Sequence, residues 1–124
     1  MTQEEKELLF KDLCARLPYK VKVKSSRRTV VTALTLDIIN DFYLGCDVKP
    51  YLRPLSSMTM EEKIELCTMA YAPDEMKTIE EKLHVIKTNA KYAADFYNEY
   101  HFDYRGLIPM GLALEAKEGM YEKK

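Results

Sequence analysis

Across Pro18 the spacing of apolar residues changes from four to two, and no other feature limits the folds open to this chain so strongly. Before it, Leu9, Leu13 and Leu17 recur every fourth residue with Phe10 and Cys14 beside them, which is one face of a helix. After it, Tyr19, Val21 and Val23 alternate with Lys20, Lys22 and Lys24, the pattern of a half-buried strand. Thr2 followed by Glu5 fits a capping box, so the helix is expected to open there and to close at Pro18.

Residues 25–28 can turn, and residues 29–38 are rich in β-branched side chains. Val30, Leu34, Leu36 and Ile38 then share one face of a second strand, with Thr29, Thr35 and Asp37 on the other. A third strand is expected around Phe42, Tyr43 and Leu44, between Asn40, Asp41 and Gly45. Pro50 and Pro54 confine residues 48–55 to an edge strand if they pair at all.

Helical sequence follows. Thr59 with Glu62 repeats the capping-box arrangement and predicts a helix to about Met69, and Pro73 with Asp74 and Glu75 suits the first turn of another. Met76, Ile79, Leu83, Ile86, Ala90, Ala93, Tyr97 and Tyr100 alternate spacings of three and four, a seven-residue repeat. Val85, Tyr92 and Phe96 widen that stripe, which favours packing within the chain, with a homodimer through the 76–100 helix as the alternative. Gly106 should end the helix or its turn, residues 107–116 are apolar and interrupted by Pro109 and Gly111, and residues 115–124 are charged and expected to fray.

The expected class is therefore α+β: an N-terminal helix, a small antiparallel sheet of three or four strands with some tendency to curl into a barrel, then two helices and a short tail. A chain of 124 residues fits one domain, 1–124, whose sheet-bearing part, 1–58, gives way to a helical part, 59–124.

A net charge of −1 gives no global field to draw nucleic acid or an anionic membrane. The basic excess is local: Lys20, Lys22, Lys24, Arg27 and Arg28 follow one another with no acid between. On a hairpin they could contact phosphates, although no aromatic residue interleaves the lysines as a single-strand platform requires. The plainer reading is a strand kept soluble and unpaired at its edge.

Reactive centres find little support. His84 and His101 are far apart in sequence with no cysteine beside either, so no metal is expected, and nothing calls for a cofactor. Ser56 or Ser57 with His101 and Asp103 lacks a nucleophile turn. Cys14 and Cys67 fall in amphipathic helices where a small thiol packs. Gly106 and Gly111 frame a G-x-x-x-x-G match in which Leu112 replaces the phosphate-binding lysine. Asp37 and Asp41 read as capping and turn residues. The three cysteines are odd in number, without a C-x-x-C pair, which suits reduced thiols in the cytoplasm. No apolar run approaches the ~20 residues that cross a bilayer, and the acidic start is unlike a signal peptide, so neither a membrane contact nor a leader is expected.

Two motifs are left. Lys49-Pro50-Tyr51-Leu52-Arg53-Pro54-Leu55-Ser56-Ser57-Met58-Thr59 sets Tyr51 and Arg53 among prolines, and His101-Phe102-Asp103-Tyr104-Arg105-Gly106-Leu107-Ile108 crowds aromatics with both signs of charge. Tyr and Arg carry contact energy at interfaces, so Tyr51, Arg53, Tyr104 and Arg105 are candidate partner contacts. The structural alternative is that both segments clamp the last helix onto the sheet.

In these two motifs, and in Leu17-Pro18-Tyr19 entering the valine-lysine strand, the chain resembles small uncharacterised proteins encoded by gut Bacteroidales and their phages or mobile elements. The resemblance covers roughly a fifth of the chain and implies a small β-structured half followed by helices, in a cytoplasmic, phage- or element-associated setting. It carries no activity. Pro109-Met110 stands where a charged pair is expected. The functional expectation is a non-enzymatic binding or adaptor protein, a phage or mobile-element accessory factor acting on a protein partner. The alternatives are weak nucleic-acid binding by the basic hairpin, Lys20 to Arg28, and a small enzyme with a pocket near His101 to Arg105.

Overall fold

A computed structural model describes residues 1–70, 81 and 93–121. Helix α1, Gln3–Arg16, opens on the capping box: Thr2 Oγ1 accepts from the Glu5 amide at 3.1 Å and Glu5 Oε1 accepts from the Thr2 amide at 2.8 Å. Its buried residues are Leu9, Asp12, Leu13 and Arg16, so the inward stripe is half apolar and half charged. Pro18 stops the helix in a 3₁₀ turn, Leu17–Tyr19, and Lys20 reverses the chain in the left-handed region at φ 56°. The first strand therefore begins at Lys22, three residues after the start expected at Tyr19, and Tyr19 and Lys20 belong to the turn.

Strand β1, Lys22–Ser25, keeps the predicted alternation, with Val21, Val23 and Ser25 buried and Lys24 exposed. Strand β2 is only Thr32–Ala33, paired antiparallel with β1. Continuing this register to the tip would set Ser26 opposite Thr29 and leave Arg27 and Arg28 as a two-residue loop. Such loops want positive φ at both positions, which arginine adopts poorly. The Arg28 amide instead donates to the Ser25 carbonyl at 3.0 Å, and β2 ends early.

The sequence expectation fails after Ala33, where residues 36–43 form helix α2, Leu36–Tyr43, in place of two strands. Thr35 caps it, accepting from the Ile38 amide at 3.4 Å, and Asp37 lies in the first turn. Leu34 and Ile38 are buried while Leu36 is 71% exposed, an inward spacing of four that the β-branched composition concealed.

Strand β3, Val48–Leu52, lies inside the sheet rather than at its edge. The Ser26 amide donates to the Asp47 carbonyl at 2.8 Å, so alternation makes Val23 and Pro50 a pair without hydrogen bonds, and β1 never needs the missing proline amide. On the other side β4, Leu114–Glu115, runs parallel to β3 from Tyr51 onward, past the proline. The sheet has four strands in the order β2-β1-β3-β4; it is mixed and open.

Helix α3, Met60–Ala70, opens on its predicted capping box at Thr59. The 76–100 heptad stripe lies largely outside the described residues. Its described end includes helix α4, Ala94–Glu99, which closes in a Schellman motif. The Phe102 amide reaches Tyr97 O at 2.8 Å, the His101 amide reaches Asn98 O at 3.3 Å, and His101 takes φ 63° where glycine is usual. Tyr97 and Phe102 supply the apolar contact of that motif, ring edge to face.

Two cores result. Leu9, Leu13, Val21, Val23, Ile38, Val48, Leu52 and Leu107 fill the space between α1, α2 and the sheet. Leu66, Cys67, Ala93, Phe96, Tyr97 and Phe102 form the second, between α3 and α4.

Tyr121 in the tail packs back onto the sheet and His101, against the expectation that the tail frays. Beyond Val23 and Pro50 the next rung would join Lys22 to Tyr51; here the Lys22 amide donates to Tyr121 Oη at 2.7 Å and that hydroxyl donates to Tyr51 O at 2.8 Å. A side-chain hydroxyl thus serves as a rung of the sheet. Tyr121→Phe keeps the ring but deprives two main-chain groups of their partner, at a cost of about 1–3 kcal/mol. Urea unfolding should show the lower midpoint with an unchanged slope; an unchanged midpoint would mean that Lys22 and Tyr51 close directly.

Candidate functional site

Both aromatic and arginine motifs turn inward. Asp12 Oδ2 accepts from Arg16 Nε at 2.8 Å and Asp12 Oδ1 accepts from Arg105 Nε at 3.1 Å. Arg16 Nη2 donates to Phe102 O at 2.6 Å, and Arg105 Nη2 donates to Tyr104 Oη at 2.8 Å. The Tyr104 ring lies on Tyr97 with centroids 5.2 Å apart. Arg53 grips both oxygens of Glu62 at 2.7 Å each, and its guanidinium sits 4.2 Å over the Phe102 ring. Burial pushes the Glu62 carboxyl up, but the Arg53 and Thr59 hydrogen bonds outweigh it and hold the group below its ordinary value. Tyr51 is 6% exposed on β3.

The basic hairpin is also partly committed. Lys22 Nζ donates to Met120 O at 3.1 Å, and Arg27 and Arg28 pair with the buried Asp41 at 3.6 and 3.1 Å. Lys20 is exposed in the turn. Lys24 stands exposed directly opposite Lys49 across the β1–β3 ladder.

Residues proposed for chemistry do not converge. Both Asp103 oxygens accept main-chain bonds, from Leu107 at 2.8 Å and Ile108 at 2.9 Å, and Ser57 Oγ donates to Pro54 O at 2.7 Å. His101 stacks on Tyr121 with centroids 4.0 Å apart. Burial first, then the charges of Arg16, Arg53 and Lys22, lower its pKa to about 4, so it is neutral at pH 7. Cys14 is exposed, Cys46 half-buried and Cys67 buried. Among the described residues no three His, Cys, Asp or Glu side chains gather into a metal site, and no helix is long and apolar enough to cross a membrane.

Among the described residues a cleft of about 500 Å³ opens between α1 and the end of α2. Phe10 and Phe42 form its floor, with centroids 6.2 Å apart and planes 17° from parallel. Tyr43 is its outer wall, 80% exposed, and Leu44 beyond it is 63% exposed. Lys6, Glu7 and Asp47 rim it with both signs of charge. The sequence reading missed this cleft because it placed Phe42 and Tyr43 on a strand. The signal was present in Thr35 and Asp37 as a helix start, with Ile38, Ile39 and Phe42 at spacings of one, three and four. A second cavity, about 400 Å³, lies between Arg53 with Glu62 and the tail, where Glu61, Glu115, Lys117 and Glu118 also line it.

No family model, curated protein or solved structure matches the chain.

A histidine whose folded pKa is about 4 against an ordinary 6.5 binds its proton more readily when unfolded, so stability falls as pH drops through that interval. His101→Gln should flatten the dependence of the urea midpoint between pH 6.5 and 4 relative to the parent. Parallel profiles for the two proteins would contradict the buried, neutral ring.

Proposed function

We propose that this chain is a non-enzymatic binding protein that docks a protein partner in the α1–α2 cleft. One observation carries the reading: Phe10, 41% exposed, stacks on the half-buried Phe42 beside the 80%-exposed Tyr43. Exposed aromatic surface of this kind costs solubility and is characteristic of contact sites, where tyrosine and phenylalanine supply large area with few rotatable bonds. The cleft supersedes Tyr51, Arg53, Tyr104 and Arg105 as the docking surface in this proposal, because those side chains hold the chain's own segments together.

The enzyme alternative has less support, since Asp103 and Ser57 are occupied by main-chain partners. The nucleic-acid alternative is weakened likewise, because Lys22 and Arg28 are engaged internally and Arg27 leans on Asp41 at 3.6 Å, while Lys20 and Lys24 stay exposed. On the resemblance of its two motifs to proteins of gut Bacteroidales and their phages or mobile elements, the proposal extends to an accessory factor working in the cytoplasm.

A photoreactive phenylalanine placed at Tyr43 should crosslink to a protein in cells, and Phe10→Asp should abolish that crosslink without unfolding the chain. A crosslink indifferent to Phe10→Asp, or none above that from an exposed control position at Lys117, counts against the cleft.

A further inference from the structure

The face that carries the cleft holds a projection and a recess side by side. Tyr43 and Leu44 stand out from the end of α2, and the hollow of about 500 Å³ floored by Phe10 and Phe42 lies directly next to them. Leu36, 71% exposed, is seven residues before Tyr43 on α2 and so shares its outer face, with the exposed Asn40 between them. A patch of this form can meet itself. In a two-fold pair each projection enters the other copy's hollow, and the same residues serve both sides.

The charges point the same way. A rim of one sign would repel its own copy, as like charges facing each other do. Here the rim carries Lys6 together with Glu7 and Asp47, and none of the three is in an ion pair among the described residues. Rotation about a two-fold can therefore bring Lys6 of one copy toward an acid of the other. The net charge of −1 adds almost no long-range repulsion between copies.

We infer that the occupant of the α1–α2 cleft is the same cleft of a second copy, related by a two-fold axis. This rests on the reading of the cleft as a docking site and names its partner. The contact differs from the helix pair that the 76–100 stripe offered, which falls largely outside the described residues.

Sedimentation equilibrium of the full chain from micromolar to millimolar concentration tests it. The weight-average mass should rise from the chain's 14.5 kDa toward twice that value. Tyr43→Glu should hold it at one chain across the range; because this side chain is 80% exposed, the urea midpoint should be unchanged. Lys6→Glu should weaken association, and Lys6→Glu combined with Asp47→Lys should restore it. A parent protein that stays at one chain mass overturns the inference, as does association that survives Tyr43→Glu. If the parent is monomeric while the photoreactive residue at position 43 captures a different protein, self-docking fails and the docking site stands. If it captures nothing, both fail.

Discussion

The buried Asp12 carboxylate organises this molecule. It lies on the same inward stripe as Leu9 and Leu13, at a position where an unpaired charge would be prohibitive, and it is shared by Arg16 from its own helix and Arg105 from far along the chain. Arg16 is fully buried too and reaches the Phe102 carbonyl. A helix that buries charge in this way can dock only where the 102–105 segment supplies the complementary groups. The pairing need not exceed a well-packed apolar substitute in stability, but removing one partner leaves a stranded ion, and that makes the arrangement specific.

From this lock the two cores become neighbours. Phe102 belongs to the α3–α4 core, and Leu107 and Leu112, just beyond it, belong to the sheet core. Asp103 tightens the link by accepting from two following amides. Arg53 does similar work from the sheet side, since it holds the capping glutamate of α3 and covers the Phe102 ring. Residues that look like surface anchors in the sequence are thus internal struts. Among the described residues, Phe10, Phe42 and Tyr43 on α1 and α2 lie outside these struts.

Local signals were legible and long-range ones were not. Both capping boxes, at Thr2 and Thr59, stand where the sequence placed them, because the hydrogen bonds involved close within three residues. Alternation around Val21 and Val23 likewise marked β1 and its buried face. Residues 36–43 misled because Leu and Ile serve strand or helix equally; a threonine cap with an acid in the first turn decided it. Pro50 misled in the opposite sense, because a proline is excluded from a central strand only where its amide is needed, and register decides that. Tyr121 could not have been found from the sequence, since its function is to bridge Lys22 and Tyr51, residues distant from it in the chain. The same holds for Arg105, whose carboxylate partner lies 93 residues earlier.

The most direct measurement is a double-mutant cycle between Asp12 and Arg105, with Asp12→Asn, Arg105→Met and the double variant unfolded in urea. If one carboxylate anchors the C-terminal segment onto α1, the two substitutions couple by about 2–3 kcal/mol, and the double variant loses far less than the sum of the singles. Additive losses, with coupling within about 0.5 kcal/mol of zero, would show that the two residues act independently and that the buried charge does not hold the fold together.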